Sequence, residues 1–391
     1  MLRSLYAGIS GLRAEQTMLD VTSNNIANVN TTGFKSSSVQ FEDTLSQTLS
    51  AAGLPQATKA GTNPSQVGLG VRVAAINTSL AQGEQQSTGN NLDTMISGDG
   101  YFVTTVGTQT LYTRDGAFHW DAQGRLATAD GGLVEGWSAV NGVINTGGAP
   151  VGISLPTGTV APAVATTKAA VTGNLDSTGS GGISVKEISV YAKDGTQKTL
   201  SVTFTPGANG AWTYSAGDGT GAAVTGSLQC TNGKVTGATT ATTSDGIVID
   251  MTGLTGFASL ATATIASQDG TAAGRLLSTT MGSDGTLAGT FSNGATVPLA
   301  RLALATFVNP EGLEKAGNST MQQTLNSGTP TLTTAGDGSA GTIVAGALEA
   351  SNVDLSQEFT NLIIAQRGFQ ANARIITTSD QVLQELVQLK Q

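Results

Sequence analysis

Near the start of the chain, apolar residues recur at alternating steps of three and four. Leu5, Ile9, Leu12, Leu19 and Ile26 form the line, with Gln16 and Ser23 occupying two of its turns. This spacing predicts a helix with a coiled-coil-like seam. Arg3, Arg13, Glu15 and Asp20 fall on the opposite face. The pattern dissolves in Asn24, Asn25, Asn28 and Asn30, and Gly33 closes it, because Asn and Gly accept left-handed backbone and end helices. The far end repeats the design through Leu355, Phe359, Leu362, Gln366, Phe369, Ala373, Ile376, Asp380, Leu383 and Val387. A helix over 353–390 is predicted there, capped by Asp354 or Ser356, with Glu358 in its first turn. Neither apolar stripe is stable in water alone, so the two are expected to pair. The polar residues Gln16, Ser23, Gln366 and Asp380 weaken such a seam but can fix its register and its partner. Two helices packed separately on a globular core would satisfy the same stripes.

Between the ends the period changes from helical to alternating. Residues 36–68 read as a connector, with a short helical stretch near Glu42–Leu49 followed by the Gly- and Pro-containing AAGLPQATKAGTNPSQ. Residues 69–150 read as short strands punctuated by Asp99-Gly100, Asp115-Gly116 and Asp130-Gly131, strong hairpin signals between alternating residues. From 151 to 285 Gly, Ala, Ser and Thr dominate. One clear hairpin stands out there, with Ile188 and Val190 on one arm, Asp194-Gly195 at the turn, and Leu200, Val202 and Phe204 on the other. Trp212 and Tyr214 are placed to cover it, over what reads as a thin core. The earlier character returns at 286–335, and 336–352 is a second connector. The expected fold class is mainly β with α-helical termini. An inner β domain (69–150 and 286–335) is interrupted by an inserted outer β domain (151–285), and a terminal helical domain (1–35 and 353–391) encloses both.

Charge and chemistry narrow the function by exclusion. The net charge of −9 argues against nucleic acid, whose phosphates need a basic surface. No apolar run has the length of a membrane-spanning helix, so no membrane insertion is expected. The opening SLYAGISGL superficially resembles a signal peptide, but Arg13 and Glu15 cut it short and the helical period runs through it. It reads as mature helix, implying export without a cleaved signal. The single cysteine, Cys230, excludes an intrachain disulfide framework. The single histidine, His119, sits between Phe118 and Trp120 in a predicted strand and reads as a plain strand residue. GLG at 68–70 and GDGTG at 217–221 are turns without the lysine or following helix of a phosphate loop. No catalytic constellation, cofactor or metal site emerges, and the chain does not read as an enzyme.

Several stretches carry a specific resemblance. LDVTSNNIANVNTTGFKSSSVQF at 19–41, with Asn24, Asn25, Asn28, Gly33 and Phe34, resembles the N-terminal motif of bacterial flagellar axial proteins: rod, hook and hook-associated subunits. Residues 347–389 resemble their C-terminal motif. TGNNLDTMISGDGYF (88–102), LYTRDGAFHWDAQGRL (111–126) and 292–318 are similar to the hook branch. The middle matches only loosely, through VTGNLD at 171–176. The resemblance implies a hook subunit that polymerises head to tail, with its terminal helices innermost around an export channel. It implies packing between copies through Leu5, Ile9, Leu12, Leu19, Ile26, Leu355, Phe359, Leu362, Phe369, Ile376 and Leu383. The implied partners are further copies of the chain, distal rod proteins, the hook cap, hook–filament junction proteins and the flagellar export apparatus. A distal rod protein is the nearest alternative, though rod subunits are expected to lack an insertion as large as 151–285. A secreted adhesin is the alternative of a different class.

Overall fold

The computed structural model describes residues 2–54, 60–140, 142–155, 158–176, 178, 184–219 and 221–388. Two compact units divide the chain, one comprising 1–156, 280–288 and 298–391, the other 157–279 and 289–297. Most of the regular structure is strand, with helix α1 (Leu2–Ala27) at one end and helix α2 (Leu355–Gln388) at the other.

In the first unit, α1 stops in the asparagine cluster. The Asn28 side-chain amide donates to the Asn24 carbonyl at 2.9 Å, beside the Asn28 backbone amide that reaches the same oxygen at 3.2 Å. Gly33 takes φ +66°, and a Cβ there would lie 2.7 Å from the Asp115 nitrogen, so both conformation and space require glycine. At the start of α2 the cap is Asp354, whose Oδ1 accepts from the Ser356 and Gln357 amides at 2.8 and 3.3 Å.

The first connector differs from expectation. Where a short helix was predicted near 42–49, the chain forms a long antiparallel ribbon. Strand β1 (Ser37–Asp43) and β2 (Ser46–Ser50) run out, and β3 (Ser65–Gly68) and β4 (Val71–Thr78) return. Residues 71–78, expected to open the inner β domain, therefore belong to the ribbon. The cause is a partner strand remote in sequence, which outweighs the weak local preference of a Ser-, Thr- and Gln-rich stretch. Part of the predicted loop, residues 55–59, lies outside the described residues. Ser10 holds the ribbon to α1: its hydroxyl donates to the Ala7 carbonyl at 2.8 Å and accepts from the Val71 amide at 3.2 Å. Gly70, at φ +128°, passes so close to Ser10 that a side chain there would collide with it.

The rest of this unit is built on strand Tyr101–Val106. It pairs antiparallel with Gln109–Thr113, with Leu133–Val140 and with Leu304–Thr306. Alternation sends Phe102 to one core with Phe118, Val134, Ile153 and Leu302, and sends Tyr101 and Val103 to another with Tyr112, Trp137 and Met321. The chain leaves beside its entry. Thr342–Ala345 pairs with Thr94–Ser97, and Ala347–Glu349 with Gln85–Ser87, so the second connector is strand as well.

The second unit is a sheet in which Ser184–Tyr191, Gln197–Pro206, Ala211–Gly217 and Val224–Thr231 form a meander. Lys168–Asn174 lies parallel to Val248–Gly256. The predicted hairpin turns at Gly195, and Leu200, Val202 and Phe204 are fully buried with Trp212 and Tyr214. The core is more substantial than composition suggests, because the small residues sit mainly at alternate, outward positions while Ile249, Met251, Leu228 and Val171 join the inner face. The Trp212 indole donates to the Asp176 carbonyl at 3.0 Å.

Candidate functional site: the paired terminal helices

The two terminal helices pair with each other. Contacts run from Ser4 with Ser379, through Gly8 with Ile376 and Gly11 with Asn372, to Glu15 with Gly368 and Asn25 with Glu358. Each step forward on α1 meets a step backward on α2, so the pair is antiparallel. The line of closest approach is made of small residues. A Cβ on Gly11 would stand 2.6 Å from the Asn372 side chain, and one on Gly368 would stand 2.5 Å from Glu15. Ala14 is buried on α1, and Ala365 is 0% exposed on α2.

The predicted seam residues lie beside that line rather than on it. Leu5, Leu12, Leu19, Ile26, Leu362, Ile376 and Leu383 are half-buried, while Ile9, Leu355, Phe359 and Phe369 are exposed. Further large apolar side chains stand in water: Tyr6 is 69% exposed, Ile364 56% and Phe359 52%. Glu15, assigned to the polar face by the heptad, instead lies between the helices against Gly368, because the contact follows Gly8, Gly11 and Ala14 and not the leucines. Burial raises its pKa above the ordinary carboxylate range.

Where the helix pair meets the sheet, the motif residues have distinct roles. Asn25 is buried. Its amide donates to the Ser37 carbonyl at 2.8 Å and to Glu358 at 3.1 Å, and its oxygen accepts the Ser37 amide at 3.0 Å. It thus ties α1 to β1 and to the first turn of α2. Gly33 is buried, Asn28 and Phe34 are half-buried, and Asn24 is exposed.

Sequence reasoning missed the charged junction beneath them. Glu349 Oε1 accepts from Lys35 Nζ at 2.6 Å and from the Gly83 amide at 2.9 Å, and Lys35 also donates to the Ala81 carbonyl at 2.8 Å. Arg114 Nη1 stands 3.5 Å from Glu349 Oε2, and its guanidinium lies 5.2 Å from the centroid of the Tyr101 ring. Lys35, Arg114 and Glu349 are all buried. Burial lowers the Lys35 pKa, and the Glu349 carboxylate opposes that shift. Burial also raises the pKa of Tyr101. The Gly33 amide donates to the Glu349 carbonyl at 2.8 Å, so one C-terminal residue holds the N-terminal segment through both side chain and backbone. The available signal was three charges inside the very strings TTGFK, YTRDG and ALEAS that carry the family resemblance.

Among the described residues there is no cluster of His, Cys, Asp or Glu able to hold a metal, and no helix is long and apolar enough to cross a membrane. Cys230 is buried in the second unit, where burial raises its thiol pKa. The arrangement is a narrow helix pair, held at its base by the Asn25 and Glu349 contacts, with apolar side chains facing outward.

Both helices overlap stretches that match known families. Residues 5–35 match the model described as flagella basal body rod protein, and 344–389 match the flagellar basal body rod FlgEFG protein C-terminal model. Residues 95–175 match the flagellar hook protein FlgE/F/G D1 domain. These place the chain in the class of flagellar axial proteins. The flagellar hook protein FlgE of Treponema pallidum is 37% identical over the whole of both chains, and that of Borreliella burgdorferi 36% over the whole of both. The flagellar basal-body rod protein FlgG of Bacillus subtilis is 34% identical, again over the whole of both. The chain belongs to the flagellar hook protein family.

Proposed function

We propose that this chain is the structural subunit of the bacterial flagellar hook. It assembles head to tail into a flexible tube that carries motor torque to the filament. The observation that carries this reading is the row of apolar side chains left in water along both terminal helices. Two long amphipathic helices joined through glycines only half-bury most of their leucines and leave Tyr6, Ile9, Phe359, Ile363, Ile364 and Phe369 exposed, so burial is completed by other copies. An interface between two different patches of one chain does not close on itself and generates a helical tube. The ribbon of β1–β4 supports the same reading, because a two-stranded hairpin with Leu45, Leu49 and Leu54 exposed is marginal until a neighbour covers it.

In this reading the helical domain (1–35 and 353–391) lies innermost, the inner β domain forms a middle layer, and the inserted domain faces outward. The outer domain presents few exposed aromatic anchors, which suits contacts that shift as the tube bends. Partners at the two ends of the tube are distal rod proteins, the hook cap and hook–filament junction proteins, reached through the flagellar export apparatus. The full-length similarity to a rod protein makes a distal rod subunit the second reading. Immunogold microscopy with antibody to 157–279 separates the two. Gold on a short curved segment between envelope and filament is expected; gold confined to the envelope would assign the rod instead.

A further inference from the structure

We infer that residues 342–352 act as a strap that closes the first unit, which stays open on an incomplete chain while 157–279 folds ahead of it. The inference concerns a single chain and does not depend on the polymer reading above. Residues 342–345 and 94–97 form a sheet of two strands, and so do 347–349 and 85–87. Each of the two early strands therefore takes its ladder from the strap. Between the ladders the strap turns at Gly346, at φ +74°. The Gly346 amide donates to the Asp93 carbonyl at 2.8 Å, and its carbonyl accepts the Thr88 amide at 2.9 Å. The Ala350 amide then donates to the Glu84 carbonyl at 2.8 Å. Asn352 ends the strap. Its side-chain oxygen accepts the Ser36 amide at 2.8 Å, and its side-chain amide donates to the Ser79 and Ala81 carbonyls, both at 3.0 Å. The fit is close: a Cβ on Gly83 would lie 1.9 Å from the Ala350 carbonyl oxygen, and one on Gly341 2.3 Å from that of Ser97.

The segments under the strap depend on it. Lys35 is 3% exposed and has Glu349 as its carboxylate, and the Gly33 and Gly83 amides both end on that same residue. Before residue 349 is present, a buried ammonium lacks its counter-charge and two amides lack their acceptor, so 33–36 and 79–87 are better left in water. The Lys35–Glu349 contact spans 314 positions and the Ser36–Asn352 contact 316. Closing loops of that length comes late in folding, because entropy is lost before the contacts reward it. The second unit relies on nothing so remote. Its meander from 184 to 231 joins neighbours in sequence, and 168–174 pairs with 248–256 inside the same unit. A chain is made from its N-terminus, so 157–279 is complete before the strap exists. Helix α2 begins at Leu355, just past Asn352, and near its start Glu358 accepts from Asn25. The strap thus seats the root of α2, and the helices pair only after it has closed.

The test follows the full-length chain refolding from denaturant by pulsed hydrogen exchange, with protection read on peptides. Peptides covering 200–204 should be protected first. Peptides carrying Gly33, Gly83, Gly346 and Ala350 should follow together in one slower phase, with those of α1 no sooner. Asn352→Ala removes the bonds to Ser36, Ser79 and Ala81, and should slow that phase about fivefold while leaving the 200–204 phase unchanged. Protection of Gly33 and Gly83 ahead of Gly346 and Ala350 would overturn the strap. So would a single phase shared with 200–204, or an unchanged slow phase in the variant. Should Asn352→Ala not refold, the order of phases in the wild-type chain still decides.

Discussion

In the 157–279 unit, Leu200, Val202 and Phe204 reach full burial against Trp212, Ile249 and Met251 without help from another chain. Along α1 and α2, Tyr6, Phe359, Ile363 and Ile364 remain in water although the helices already touch. The difference lies in what sits at the contact line. In the sheet unit the large side chains point inward and the small ones outward. In the helix pair Gly8, Gly11, Ala14, Ala365 and Gly368 point inward and the large side chains point out. A domain that spends its large residues on itself can fold alone. A helix pair that keeps them outside still has apolar surface to bury, which is what a polymer subunit needs.

The junction at Glu349 is where this contrast can be broken most severely. Glu349→Leu leaves the Lys35 and Arg114 charges buried without their carboxylate, a loss of about 3–5 kcal/mol by the usual cost of breaking a buried pair. The first unit should unfold at markedly lower denaturant concentration, while the Trp212 fluorescence transition, reporting the second unit, stays in place. Leu200→Ala should do the reverse. Truncating a fully buried leucine costs about 2–5 kcal/mol, and the loss should appear in the Trp212 transition with helicity unaffected. If either substitution moves both transitions equally, the two units are not energetically separate and the comparison fails.

Gly11→Val probes the contact line itself. A side chain there meets Asn372 at once, so the helices must separate, at about 1–3 kcal/mol for overpacking a close contact. The expected readout is loss of helical circular dichroism at lower temperature, with the sheet signal constant. Unchanged helix melting would mean that the glycines do not set the spacing.

Much of this architecture was legible in the chain. The period of three and four placed both helices, and alternation at 188–204 located the core of the second unit. Asp130-Gly131 and Asp194-Gly195 turn hairpins as expected. Asp99-Gly100 and Asp115-Gly116 instead join strands that pair elsewhere, because their partners come from other parts of the chain. The rest depended on partners remote in sequence. The ribbon was misread because β1 finds its partner across a long loop, and local propensity at 42–49 carries no trace of that. The junction was missed because Lys35, Arg114 and Glu349 are far apart in number and each looks like a surface charge until the fold brings them together. The helix contact was misjudged for a different reason. Hydrophobic periodicity identifies the face that must eventually be buried, and in a subunit built to assemble this need not be the face used within the chain. Gly8, Gly11 and Gly368 are invisible to a count of apolar residues, yet they decide which sides of the helices meet.

Glu15 offers the finest test of that distinction, with the smallest expected effect. Its carboxyl lies between the helices beside Gly368, and burial raises its pKa above that of an ordinary glutamate. An acid whose pKa is raised on folding holds its proton more tightly in the folded state. Stability from this group is therefore present at low pH and lost as pH rises through the folded pKa. Glu15→Gln keeps the size and removes the charge, so the helix pair of the variant should melt higher than wild type at pH 7. The gap should close as pH falls below the ordinary carboxylate range. Helical circular dichroism followed by temperature across pH 3–7 reads both proteins side by side. A gap that persists unchanged at low pH would show that Glu15 acts through packing alone. No gap at any pH would return Glu15 to the solvent face where the heptad first placed it.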